Sequence, residues 1–208
     1  MKITSMLVCG LLALPQFCLS QEQCGSVTNE NEVIKTIMSR RSVRKYLDKA
    51  VEHEKLATIA KCGINAPNGM NKQPWAVRVV ESADFINGTT EIFRKTMPEQ
   101  VARDKNFKNM YRNAPAIIVV ASPADGSGKV DVGLMGENMI LAAQSLGLGT
   151  CCLGGPVRFL QTSADCKPYL EKLNIPSGYD VAYIIAVGYP DETPEQKPRD
   201  ESKIEYIR

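Results

Sequence analysis

The chain has 208 residues, 44% of them hydrophobic and 23% charged, with a formal net charge of +2. That composition supports one packed domain with some extra sequence and excludes intrinsic disorder. So small a charge excludes a generally polyanion-binding surface, and one Trp among 6% aromatics argues against a base-stacking nucleic-acid platform.

The first twenty residues differ from the rest. Lys2 is the only charge before Glu22, an apolar run spans residues 6–14, and Pro15 breaks it. Cys18-Leu19-Ser20 then places small residues at positions −3 and −1 of a cleavage after Ser20. This is the pattern of a secretory signal, and the run is well short of the roughly 20 residues of a spanning helix. The expected division is residues 1–20 as signal peptide, 21–31 as mature N-terminal segment and 32–208 as the domain. Export to the periplasm is expected, without stable membrane insertion.

Asn29 is expected to cap a helix to about Ser39, with Glu32 completing a capping box. A second helix is expected over residues 52–64, then a turn at Pro67-Asn68-Gly69 and a strand over 76–81. Ser82 is read as the cap of a short helix interrupted by Gly88, and residues 96–111 as helical. Residues 116–121 form a β-branched apolar run that predicts a central strand. Residues 130–146 predict a helix apolar nearly all round, which points to a subunit interface. Gly147 and Gly149 end it. A further helix over 162–173 and a buried strand over 181–187 follow. Helices and strands alternate without strict βαβ order, so the class is α+β.

Cysteine usage does not point to covalent or metal cross-linking. After signal removal Cys24, Cys62, Cys151, Cys152 and Cys166 remain, an odd number without regular spacing. No CxxC pair occurs and His53 is the single histidine, which leaves no zinc pattern. Adjacent Cys151 and Cys152 read as small buried residues, with a redox pair as the lesser alternative. His53 is expected to start a helix and be exposed.

Four segments carry chemistry. Arg40-Arg41-Ser42-Val43-Arg44 offers three guanidinium forks and a hydroxyl, a cradle for a dianionic phosphate or simply cations at a helix C-terminus. Pro67-Asn68-Gly69-Met70-Asn71-Lys72-Gln73-Pro74-Trp75 is a turn rich in amides, able to serve the N–C=O edge of a pyrimidine-like ring or only its own backbone. The stretch Gly147 to Pro156 reads as a tight apolar loop whose paired glycines permit close approach of a flat ligand. The glycines follow a helix and therefore do not form a dinucleotide fingerprint. Val187-Gly188-Tyr189-Pro190 with Lys197 and Arg199 places further cations after a buried strand.

Taken in this order, the four segments resemble the nitroreductase family of FMN enzymes from about Glu32 to Arg199, and Ala114-Pro115 with the apolar run after it is similar to the family's central strand. The resemblance implies a three-layer α-β-α sandwich with a mixed, mostly antiparallel sheet, forming a homodimer with FMN at the subunit interface. It implies Arg40, Arg41, Ser42 and Arg44 at the phosphate and ribityl end, joined by Lys197 and Arg199. Pro67, Asn68, Gly69, Met70 and Asn71 would line the ring from the partner subunit, with Gln73 beside them. Leu153, Gly154 and Gly155 would lie near the flavin N5. Better-known bacterial members carry an acidic residue where this chain has Gly154.

The implied activity is ping-pong transfer from NADH or NADPH to a small acceptor such as a nitroaromatic or quinone. The flavin carries the hydride, so no protein nucleophile or acid–base set is required. Residues 85–113 are expected to form the lid over the acceptor. Alternatives are a non-catalytic FMN carrier or sensor, a dehalogenase-like or flavin-fragmenting branch of the same fold, and a thiol-redox protein. Export implies that the chain crosses unfolded and acquires FMN afterwards, since no twin-arginine signal precedes the apolar run.

Overall fold

The computed structural model describes residues 31–208, so the expected signal segment, Asn29 and Cys24 lie outside the described residues. Helix α1 (Glu32–Ser39) is capped by Asn31, whose side chain accepts from the N–H groups of Val33 at 3.0 Å and Ile34 at 3.2 Å. The cap therefore sits two residues later than expected, and Glu32 lies in the first turn, where it favours the positive helix end.

Four strands form one sheet in the order β1 (Ala76–Val80), β2 (Ala116–Pro123), β4 (Tyr179–Gly188), β3 (Gly149–Leu153). All three ladders are antiparallel; a single bridge between Ser42 and Thr150 adds a parallel pairing at the β3 edge. Strand β2 is buried on both faces, which explains its unbroken apolar run. Alternate residues serve different cores. Ile117 and Val119 pack with Phe85 and Leu160, while Ile118 and Val120 pack with Leu56, Ile59 and Met139. Helices α3 (Ala83–Thr96) and α6 (Gly155–Thr162) thus cover one face, and α2 (His53–Ile64) and α5 (Lys129–Ser145) the other. This is the expected three-layer arrangement.

The α2–α5 layer is close. A Cβ on Gly63 would lie 2.6 Å from Met139 Cγ, so that glycine sets the helix separation. Helix α5 ends in a Schellman motif: Gly147 has φ +75°, Leu148 N–H donates to Ala143 O at 2.9 Å, and Gly147 N–H to Gln144 O at 3.1 Å. Its expected all-round burial is only partly realised within one chain. Val132, Met135 and Met139 are buried, whereas Val130 and Leu134 are exposed.

Several boundaries differ from the sequence reading. Helix α3 runs through Gly88 without interruption, because the glycine serves packing: a Cβ there would collide with the Tyr169 hydroxyl. The helix expected over 96–111 shrinks to α4 (Pro98–Ala102). Beyond it Asn113 Oδ1 accepts from the N–H groups of Lys108 at 2.8 Å and Asn109 at 3.0 Å, replacing helical carbonyls by a side chain. The helix expected over 162–173 starts later and is shorter: a 3-10 turn spans Ala164–Cys166 and α7 (Lys167–Lys172) follows with Pro168 in its first turn, while α6, not expected from the sequence, ends at Thr162. Finally, the stretch read as a loop from Gly147 to Pro156 contains β3, paired to β4 from Gly149↔Gly188 to Leu153↔Ile184. Gly149 at its start and Gly154 just after its end disguise a five-residue strand.

Candidate functional site

The site is built outward from the edge of β3. Val43 N–H donates to Thr150 O at 2.9 Å, which lays the arginine segment along this strand. On its other side Tyr46, buried, donates its hydroxyl to Val43 O at 2.6 Å and bridges Pro190. Burial holds the Tyr46 pKa far above the ordinary phenol value, so the hydroxyl remains a donor. Arg44 N–H donates to the Glu192 carboxylate at 2.5 Å, and Arg41 donates to Gln196 Oε1 at 2.9 Å. The segment 40–44 is therefore held between β3 and the C-terminal stretch.

Its side chains diverge. Arg41 also donates to Met38 O at 2.8 Å and Arg40 O at 2.7 Å, and Arg40 lies 3.6 Å from the Glu137 carboxylate. Arg44 faces a cavity of about 850 Å³. Lys197 and Arg199 are exposed, and Arg199 hydrogen-bonds to Lys197 O at 3.2 Å within its own segment. Gln196 joins the arginine segment; the two cations beyond it are not drawn onto it within one chain.

The cavity unites Arg44 with Leu153, Gly154 and Gly155 at the β3–α6 junction. A Cβ on Gly154 or Gly155 would meet nothing within 4 Å, so both glycines leave open space at the cavity wall. Such a wall admits a flat ligand against the backbone, and the volume lies in the range of cofactor pockets. Further lining comes from the segment expected to form the lid, including Phe93, Met97, Phe107 and Arg112.

The amide-rich turn lies elsewhere. Residues Gly69–Asn71 form a 3-10 turn, tied to α5 by Gly69 N–H donating to the Asp131 carboxylate at 3.3 Å. Asn68 Oδ1 accepts from Gln73 N–H at 2.8 Å. Met70, Asn71 and Gln73 have φ of 54°, 53° and 49°, a left-handed conformation that non-glycine residues rarely adopt. Met70 is 82% exposed, and none of Pro67, Asn68, Gly69, Met70, Asn71 or Gln73 lines this chain's own cavity. One chain thus brings the first and third motifs together and presents the second outward.

The profile of the Nitroreductase family matches residues 37–189. The chain belongs to the nitroreductase family. A Vibrio harveyi NADPH-flavin oxidoreductase is 30% identical over 176 residues, covering 81% of this chain and 70% of that protein. An Archaeoglobus fulgidus protein, provisionally named NADH dehydrogenase/NAD(P)H nitroreductase, is 32% identical over 167 residues, 77% of this chain and 87% of its own. The crystal structure of a nitroreductase with bound FMN from Desulfitobacterium hafniense superposes with a TM-score of 0.76 at 26% identity, covering 86% of this chain and 99% of that one.

As a member of the nitroreductase family, this chain has residues at the cavity that sequence reasoning missed. Arg112, inside the expected lid but not singled out, and the adjacent Arg158 and Phe159 of α6 line it. Cys151 and Cys152 occupy successive β3 positions, one buried and one exposed, and both thiols are free. Strand geometry points them to opposite faces, which disfavours a disulfide between them. Burial raises the Cys151 pKa against the opposing pull of Arg44 and Arg112, so the thiol is not activated. His53 is exposed as expected, its Nδ1 2.9 Å from the Glu81 carboxylate and away from the cavity. No group of three or more metal-ligating side chains occurs among the described residues.

Proposed function

We propose that this protein is an FMN-dependent oxidoreductase that transfers electrons from NAD(P)H to a small acceptor such as a nitroaromatic or quinone by a ping-pong cycle. The observation that carries the reading is the cavity itself, where Arg44 meets the open glycine wall of Leu153, Gly154 and Gly155. FMN, when bound, supplies the hydride-accepting and hydride-donating centre. The chain's own residues bind and orient. Arg40, Arg41, Ser42 and Arg44 would hold the phosphate and ribityl end, supplemented by Lys197 and Arg199. The backbone N–H groups of Gly154 and Gly155 would serve the ring edge, where donors favour negative charge. The lid residues Phe93, Met97 and Phe107 exclude water.

The working unit is a homodimer. Helix α1 carries apolar Val33, Ile37 and Met38, yet buries no residue within one chain, and Val130 and Leu134 of α5 are also exposed. A second copy covering these residues brings Pro67, Asn68, Gly69, Met70, Asn71 and Gln73 to its neighbour's flavin. That role accounts for the left-handed backbone of Met70, Asn71 and Gln73 in a loop that turns away from its own chain's cavity.

Export to the periplasm, with cleavage after Ser20, is supported by the apolar run of residues 6–14 and the small residues at 18 and 20. The protein would cross unfolded and take up FMN afterwards. No helix among the described residues is long and apolar enough to cross a membrane. N-terminal sequencing of protein recovered from fractionated cells tests this: an intact Met1 in the cytoplasmic fraction sinks it.

The activity is tested by mixing purified protein with FMN, removing unbound flavin, and adding NADH or NADPH without oxygen. Bleaching of the yellow band, and its recovery on adding a nitroaromatic or quinone, is the expected result. Flavin that binds without bleaching makes the protein a carrier. Protein that retains no FMN overturns the assignment of the arginine and glycine segments.

A further inference from the structure

Three guanidinium groups line the cavity, Arg44, Arg112 and Arg158, against one carboxylate, Asp104. Arg44 is assigned by the reading above to the cofactor's phosphate and ribityl end. Arg112 and Arg158 come from separate elements, the turn before β2 and helix α6, and among the described residues neither takes part in an ion pair.

The backbone at Arg112 is held in a costly conformation. Its φ is +61°, followed by Asn113 at +63°. The turn is fixed from both sides. Tyr111 is fully buried, with its hydroxyl 2.9 Å from Thr89 Oγ1, and its N–H donates to Asn109 Oδ1 at 2.9 Å. Asn113 Nδ2 donates to Asn106 O at 2.9 Å. Two successive left-handed residues persist only where the surroundings over-determine them, and such strain concentrates at functional sites. Beside these cations stands an aromatic wall: Phe93 stacks on Phe107 at 5.9 Å and meets Phe159 edge-on at 5.0 Å.

We propose that Arg112 and Arg158 are specificity residues for the acceptor, selecting a planar aromatic compound that carries a carboxylate or comparable anion. Its ring lies against the phenylalanine wall and its anion meets the two guanidinium groups. This selection rests on the oxidoreductase reading above. With a nitro acceptor, NAD(P)H gives up a hydride, solvent gives one proton, and the products are NAD(P)+, a nitroso compound and water.

The test compares 4-nitrobenzoate with uncharged 4-nitrobenzyl alcohol as acceptors for the FMN-loaded enzyme, in the wild type and in Arg112→Gln, Arg158→Gln and Arg158→Lys. The expected wild-type preference for the benzoate in kcat/KM is about tenfold. Each Gln variant is expected to lose that preference through KM, with kinetics on the alcohol unchanged, and Arg158→Lys to retain most of it. Benzoate binding measured by calorimetry should weaken in parallel, and FMN affinity measured by fluorescence should not change. Equal loss on both acceptors overturns the proposal, as does weakened FMN binding, which would assign the arginines to the cofactor. A change confined to the NADPH-to-NADH ratio overturns it in favour of the donor's phosphate. Wild-type enzyme that reduces the alcohol but shows no preference for the benzoate sinks this inference alone; wild-type enzyme that reduces neither sinks the oxidoreductase reading. Arg158, on the surface of α6, keeps the test usable if Arg112→Gln disturbs its turn.

Discussion

A Cβ built on Gly149 would lie 2.7 Å from the Cβ of Val43. Val43 is the fourth residue of Arg40-Arg41-Ser42-Val43-Arg44, so this absence of a side chain sets how closely the arginine segment lies against β3. Gly149→Ala is expected to force the two backbones apart and to cost about 1–3 kcal/mol of stability, as overpacking does. FMN affinity should fall more than stability alone explains, because Arg44 moves relative to Gly154. Thermal unfolding with and without FMN measures both; a variant with unchanged melting and unchanged FMN binding would refute the coupling.

Gly155 makes a contrasting case. Its Cβ would meet no atom of the chain within 4 Å. Gly155→Val is therefore expected to leave unfolding of the flavin-free protein within about 0.5 kcal/mol of wild type. The added methyls enter the space assigned to the ring, and FMN retention on a desalting column should drop sharply. Full retention would mean that the ring does not lie at this wall.

The thiols are expected to be dispensable for turnover. Cys151 packs in the core, so Cys151→Ala should cost stability at roughly the 1 kcal/mol level of a small cavity. Cys152→Ser should be nearly silent in stability. Acceptor reduction by the flavin-loaded double variant is the deciding measurement, and abolished activity with flavin still bound would restore the thiol-redox alternative.

His53 offers a pH test away from the cavity. A hydrogen bond and charge interaction with Glu81 raise its pKa above the ordinary 6.5. A raised folded value means that the pair favours the fold fully below the unfolded pKa, and that this contribution is lost as pH rises through the folded value. The side chain is 73% exposed, so proton chemical shifts of the ring report it better than stability does. The midpoint should drop towards 6.5 in Glu81→Gln, with acceptor reduction unaffected.

Much of the fold was legible along the chain because its signals are local. The apolar run of β2 and the helical stripe of α2 follow from periodicity, and the stop at Gly147 from the conformational freedom of that glycine. Strand β3 was not legible. It begins at Gly149 and is followed by Gly154, and only pairing with β4 makes it a strand. Helix α6 was missed because its opening Gly155-Pro156 reads as loop, and the turn at Asn113 because a side chain there replaces helical carbonyls.

The sequence by itself determined the family, since the arginine segment, the amide-rich turn and the glycine pair are chemical groups in a fixed order. The tertiary structure decided which of them share a cavity. It joined Arg44 to Gly154 and Gly155 through the Ser42–Thr150 pairing. It turned residues 67–73 outward, and it added Arg112 and Arg158, 46 positions apart in the chain. Order along a chain records which groups are present. Proximity between distant groups depends on strand pairing and close packing, and at Gly149 against Val43 and Gly63 against Met139 the approach is set by where a side chain is missing.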